Sequence, residues 1–264
     1  MLHAKSAPEE VIEARAFLDL FMNAPSKLVN DTGFACALIS DGCAISLPAA
    51  PAIGLNRIVG LSTLSDIQIA FNWLRRKTGR RFLQINEARV SDDIRTWIQN
   101  TGLVKEGVGW AKLVRHASVP VSKYTGPLVV RKATIDDASV FGEIMCVGFN
   151  FPRGLSSLWS SIVGKHSWTC LVAELEGRVV GTGAMYVLNG HAWLGGGTTL
   201  PEFRNLGVQK ALIQGRLKEG ISRGVCMFAV ETAKPELEDP NISFNNLIKA
   251  GFKHTYTRTN FMVP

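Results

Sequence analysis

The pattern that most restricts how this chain can fold is an order of elements that occurs twice. In the first half a strand-like "RFLQIN" (81–86) is followed by the helical "SDDIRTWIQNTGL" and then by the alternating "VKEGVGWAKLV". In the second half "VCMFAVET" (225–232) leads to "NISFNNLIKAGF" (241–252) and to the alternating "KHTYTRTNFMV". Gly102 and Gly251 both stand where a helix stops and a strand begins, a position that favours a left-handed glycine. Helix, strand, helix and strand thus return at an offset of about 145 to 149 residues, the mark of an internal repeat. Each copy reads as one α/β unit. The expected fold is α/β (α+β), a mixed central sheet flanked by helices, in two tandem units. The polar stretch "HASVPVSKYTGP" (116–127), with two prolines and no periodicity, divides the chain into 1–118, a linker at 119–126, and 127–264.

Composition allows this. The chain has 264 residues, 46% hydrophobic and 19% charged, enough to build substantial cores. The net charge of +7 is divided evenly, with 14 basic and 11 acidic residues in 1–120 and 15 and 11 in 121–264. With no basic stripe or aromatic-interleaved patch, nucleic acid is not an expected partner. The five cysteines contain no C-x-x-C and no zinc spacing, so no metal site is expected and buried, reduced thiols are. "SAPEEVIEARAFLDLF" reads as a helix capped by Ser6, with Glu9 completing a capping box and Val11, Ala14, Phe17, Leu18 and Phe21 on one face. No run of 18 uncharged apolar residues is present, so no membrane span is expected. The expected location is the cytoplasm.

The second half reads β-α-α-β-β-β-α-β-α-β, with turns at Glu176-Gly177 and Asn189-Gly190. Within it, "LPEFRNLGVQKAL" (200–212) places Pro201 at a strand end, Arg204 in a loop, and Gly207 at the start of a helix. A helix start leaves N–H groups without intrahelical partners, and its dipole adds partial positive charge. Gly207 removes a Cβ where an anion would approach, and Arg204 and Lys210 add charge at the rim. "GTGAMY" (181–186) has Tyr186 where a dinucleotide fingerprint needs glycine, and "GGGTTL" (195–200) lacks the Lys-Ser/Thr of a nucleotide-triphosphate loop.

The strand "WLGGGTTL", the Pro-Glu-Phe-Arg-Asn-Leu-Gly loop, the helix that follows, and the terminal "NLIKAGF" together resemble the GCN5-related N-acetyltransferase (GNAT) superfamily over about residues 127–264. Its signature is V-x-P-x-x-R-x-x-G-x-G/A. The resemblance implies an acetyl-CoA cosubstrate. Its pyrophosphate would be held by the loop Arg204, Asn205, Leu206, Gly207, Val208, Gln209 and Lys210, and its pantetheine arm would pair with Thr198, Thr199 and Leu200. The implied reaction is direct transfer of the acetyl group to a primary amine on a small molecule or peptide, without a metal. Gln209 departs from the signature's small residue: either its side chain turns away or it narrows the pyrophosphate site. Leu247 stands where many members have the tyrosine that protonates the thiolate.

Glu231, at the end of the strand after the cofactor helix, is the first candidate for general base or amine-binding carboxylate. Asn246, beside Asn241 and Ser243, is a candidate to orient substrate or water, against a capping role for the other two. Tyr256, on the last strand, is a candidate for the missing acid. In the first half Arg57-x-x-Gly60 matches the loop literally, but β-branched Ile58 and Val59 put it in a strand, with the next helix capped by Ser65. That half reads as a copy without a cofactor, completing the acceptor cleft or covering the sheet. A non-catalytic acyl-CoA sensor, favoured by the missing tyrosine, and an interaction scaffold are the alternatives. Neither the acceptor's identity nor the oligomeric state can be read from the chain.

Overall fold

The computed structural model describes residues 7–236 and 240–264. The first half comprises α1 (Pro8–Asn23), α2 (Ser26–Thr32), β1 (Ala35–Ile39), β2 (Gly42–Ser46), β3 (Asn56–Val59), α3 (Leu64–Leu74), β4 (Phe82–Ile85), α4 (Asp92–Asn100), β5 (Val104–Lys105) and β6 (Trp110–His116). The second comprises β7 (Val129–Lys132), α5 (Ala138–Phe149), α6 (Ser156–Ser160), β8 (Trp168–Leu175), β9 (Arg178–Leu188), β10 (His191–Thr199), α7 (Val208–Ser222), β11 (Met227–Ala233), α8 (Ile242–Lys249) and β12 (Lys253–Met262). The order α-α-β-β-β-α-β-α-β is common to both, except that "VKEGVGWAKLV" forms two strands. Gly107 (φ +63°) and Gly109 (φ +86°) break the run between β5 and β6.

All strands join one mixed sheet in the order β1-β2-β3-β4-β12-β6-β11-β10-β9-β8-β7, with β5 beside β12. Two self-contained units would close β6 onto β4 and β12 onto β11. Here β12 lies between β4 and β6, and β6 pairs along the whole of β11. The last strand of each half is therefore lodged against the other half, and the 119–126 segment does not separate two sheets.

Local chemistry explains the turns. Glu176-Gly177 (φ +52°, +78°) and Asn189-Gly190 (φ +49°, +74°) hold the left-handed pairs that two-residue hairpins require. Gly102 and Gly251 terminate α4 and α8 with positive φ, as their positions predict. Other readings need correction. Ser6 lies outside the described residues, and α1 has Ala7 at its N-cap with no side-chain bond. The buried face of α1 is Glu9, Ile12, Glu13, Ala14, Ala16, Phe17 and Leu20, which includes two carboxylates. The cap of α3 is Thr63, not Ser65; its hydroxyl accepts from the Asp66 N–H at 3.2 Å. Cys43, Cys146 and Cys170 are buried, Cys36 is half-buried and Cys226 is exposed.

Candidate active site

Parallel strands β10 and β11 pair only from His191↔Met227 to Trp193↔Ala229. Beyond Trp193 they part, because the β10–β9 ladder is irregular between Gly195 and Thr198. Such an irregularity bends a strand and re-aims it. A cavity of about 860 Å³ fills the opening. Loop 200–207 forms its rim: the Leu200 N–H bonds Val180 O at 3.0 Å, residues Pro201–Phe203 make one 3-10 turn, and Asn205 (φ +67°) and Gly207 (φ +80°) are left-handed. Helix α7 then begins at Val208 with Gly207 as its N-cap, so no side chain caps its first turn. Those N–H groups and the exposed Arg204 and Lys210 face the same opening, the arrangement an anion needs.

Of the ten residues expected to hold the cofactor, Thr198, Thr199, Arg204, Asn205, Gly207, Val208, Gln209 and Lys210 line this cavity; Leu200 and Leu206 do not. The side chain of Gln209 is turned toward α8. It donates from Nε2 to Ser243 Oγ at 3.0 Å and accepts at Oε1 from Asn246 Nδ2 at 2.6 Å. Asn246 is thus at the cavity, engaged with Gln209. Asn241 caps α8, accepting from the Phe244 N–H at 2.9 Å. Leu247 is buried at the cavity wall.

Glu231 also reaches the cavity, but its oxygens are taken. Arg57 Nη2 donates to Oε1 at 3.1 Å, Lys112 Nζ to Oε2 at 3.3 Å, and Trp193 Nε1 to Oε2 at 2.9 Å. Glu231 is thus anchored at the cavity wall between Arg57, Lys112 and Trp193. Tyr256 does not line this cavity. It donates to Glu10 and borders a second cavity of about 290 Å³, where burial and the Glu10 charge raise its pKa.

Glu231 belongs to a buried network that sequence reasoning missed. Glu13 accepts from Arg57 at 2.7 Å, Lys112 at 2.6 Å and Arg258 at 2.6 Å. Arg258 also pairs with Glu10. Arg57 continues to Gln84 at 2.6 Å, and Gln84 to Asn260 at 2.7 Å. Three carboxylates and three cations balance on α1 and the strands β3, β12, β6 and β11, with the neutral Gln84 on β4 between β3 and β12. Burial works to raise the Glu13 pKa, but Arg258, Lys112 and Arg57 together hold it well below the carboxylate range. The sequence signal was weak: charged residues at inward positions of short strands, each of which alone resembles a surface residue.

The first half also builds the cavity wall, through Phe17, Ala52, Gly54, Leu55, Arg57 and Trp110. The Arg57 guanidinium lies between the Phe17 and Trp110 rings, 5.2 and 5.0 Å from their centroids. Phe149 stacks on Phe151 (5.5 Å) and Phe151 on Trp159 (6.1 Å) along another side. At its own equivalent point the first half differs. Strands β3 and β4 also pair over only two positions and then part, but the helix start that follows is capped by Thr63.

Residues 142–244, which span α5 to the start of α8, match the sequence model of the Acetyltransferase (GNAT) family. These residues form a GNAT-family domain. The fold of the GNAT domain and its partner half is shared with solved structures at low identity. A GCN5-related N-acetyltransferase from Kribbella flavida superposes with a TM-score of 0.64 at 11% identity, over 99% of this chain and 97% of that one. A second, from Sphaerobacter thermophilus, gives 0.60 at 16% identity over 75% of this chain and 66% of that one. A tandem GNAT protein from the clavulanic acid biosynthesis pathway gives 0.57 at 13% identity over 96% and 94%. No curated protein matches the sequence. Among the described residues, no helix is long and apolar enough to cross a membrane.

Proposed function

We propose that this protein is an N-acyltransferase that moves the acetyl group of acetyl-CoA onto a primary amine. The observation that carries this reading is the uncapped first turn of α7, opening with Arg204 and Lys210 onto the cavity between the parted β10 and β11. The residues fit the ligand. A chain of pyrophosphate, pantetheine and acyl group needs an anion site at one end and a strand edge beyond it, and both are present in that order. Val208, Gln209 and Lys210 offer backbone N–H groups to the pyrophosphate, with Arg204 beside them. Thr198 and Thr199, on the open edge of β10, offer backbone partners to the arm, and backbone N–H groups there would polarise the thioester carbonyl.

The amine enters from the side built by both halves, over Phe17, Trp110 and Trp193. Its nitrogen bonds to the thioester carbon as the carbon–sulfur bond breaks; the nitrogen loses a proton and the thiolate gains one. Glu231, anchored by Arg57 and Lys112, holds the Trp193 indole against this space. Asn246 and Gln209 fix α8 against α7. Under this reading the two halves are tandem units, of which the second binds the cosubstrate and the first, with α3 already capped, completes the acceptor side.

A second reading has its own support. Leu247 is apolar and both Glu231 oxygens are engaged by protein donors, as suits a protein that binds acyl-CoA without turnover. One measurement separates the two. The protein is incubated with acetyl-CoA and a panel of primary amines while melting temperature and thiol release are recorded. Stabilisation with amine-dependent thiol release supports the transferase. Stabilisation without release supports the sensor, and neither effect removes both.

A further inference from the structure

Arg216 is a buried cation with no counter-charge among the described residues. On α7 it follows Val208 and Leu212 at successive four-residue steps, so a guanidinium occupies the core-facing stripe of the helix. It is 4% exposed. Its Nε donates to Leu212 O at 3.2 Å, and its Nη1 to Ala184 O at 3.2 Å and Gly195 O at 3.1 Å. These acceptors are all carbonyls, and among the described residues Nη2 has no acceptor. Two glycines make room for the group: a Cβ on Gly183 would stand 3.0 Å from Nε, and one on Gly197 3.0 Å from Nη2. Arg216 and Gly195 to Gly197 line the large cavity together.

A charge taken out of water is ordinarily paired or neutralised. Desolvation pushes Arg216 down only to about 10, so it stays charged at neutral pH. Among the described residues the one acid lining this cavity, Glu231, is held by Arg57 and Lys112. The missing partner is therefore an anion brought by a ligand. It would sit beneath Gly195 to Gly197, where β10 leaves its ladder and where the acyl end of the donor comes to lie.

We propose that Arg216 receives the terminal carboxylate of a dicarboxylic acyl group, making a malonyl- or succinyl-type CoA thioester a better donor than acetyl-CoA. The proposal rests on the acyl-CoA reading above and specifies its acyl group. The transfer is the same: a carbon–nitrogen bond replaces the carbon–sulfur bond, one proton leaves the nitrogen and one joins the thiolate. The terminal carboxylate passes into the product unchanged.

The test measures binding of acetyl-, butyryl-, malonyl- and succinyl-CoA by calorimetry to the full chain and to Arg216→Met and Arg216→Lys. Thiol release is followed with paired acceptors, amino acids and their amides. The wild type is expected to bind malonyl- or succinyl-CoA at least ten-fold more tightly than acetyl- or butyryl-CoA. Arg216→Met is expected to lose that difference while holding acetyl-CoA as before. Arg216→Lys should keep part of the preference, and serves alone if the Met variant does not fold. Equal binding of all four thioesters by the wild type, or a preference unchanged in the variants, overturns the proposal. A carboxylate preference confined to the acceptors and lost in Arg216→Met also overturns it, moving the anion to the amine substrate. If no CoA thioester binds at all, the acyl-CoA reading falls first and this proposal with it.

Discussion

Arg57 of β3 donates to Glu231 of β11 across 3.1 Å of space and 174 residues of chain. The bond joins the two halves at the wall of the cavity, and it forms because β6 and β12 lie exchanged between them. The same guanidinium is shared with Glu13 at 2.7 Å, so this cavity wall and the junction of the halves are one charged structure.

Breaking that structure at its centre should be costly. Glu13 is fully buried and answers three cations, so Glu13→Gln leaves Arg57, Lys112 and Arg258 with excess positive charge out of water. Removing one partner from a buried ion pair costs about 3–5 kcal/mol. Chemical denaturation should show a loss of that size. A loss below about 1 kcal/mol, the range of exposed pairs, would place the network in solvent.

Acid should act through the same residue. The folded-state pKa of Glu13 lies well below its ordinary value of 4.5, so its contribution to stability is complete above that value and is lost as the pH falls toward the folded one. The melting temperature of the wild type is expected to decline steadily as pH is lowered below about 4.5, and that of Glu13→Gln to decline less over the same interval. Parallel pH profiles would count against Glu13 as the responsible group.

Cosubstrate binding should depend on the start of α7. At Gly207, φ is +80°, a conformation that a β-branched residue rarely adopts. Gly207→Val is expected to abolish the melting shift produced by acetyl-CoA, and Arg204→Ala to reduce it, with the unliganded melting temperature serving as the reference for each. An undiminished shift in Gly207→Val would mean that the pyrophosphate lies elsewhere.

Gln209 is the departure from the family signature, and its amide is bonded to Ser243 and Asn246. If it holds α8 and leaves the anion site clear, Gln209→Ala should cost about 1 kcal/mol of stability while changing acetyl-CoA affinity less than about three-fold. Affinity that rises ten-fold or more would mean instead that the side chain narrows the site.

Glu231→Gln distinguishes an anchor from a base. The neutral amide can still accept from Trp193 but no longer balances Arg57 and Lys112. Turnover is therefore expected to fall together with thermal stability, with the pH dependence of kcat unchanged in shape. Loss of the acidic limb of that profile at full stability would restore Glu231 as the base.

How much of this was legible in the sequence follows from the range of each cause. Gly177, Gly190, Gly102 and Gly251 act within a few residues, so the turns and helix ends were readable. So was the loop from Pro201 to Gly207, whose conformation depends on a helix start and a left-handed glycine. The recurrence of helix, strand, helix and strand implied one sheet type for both halves. It did not imply that β12 would insert beside β4, because both outcomes satisfy the same apolar pattern. Glu231 was read as reaching the cleft, which it does, but its partners Arg57 and Lys112 lie too far away in the chain to be read with it. Gln209 left two readings open, turned away or narrowing the site, until its partners on α8 were in place. The sequence by itself determined where backbone turns and where an anion can approach a helix, because those depend on neighbours along the chain. The tertiary structure alone decided which buried charges among the described residues are paired, because charge compensation depends on distance in space, and here it draws on five elements from both halves.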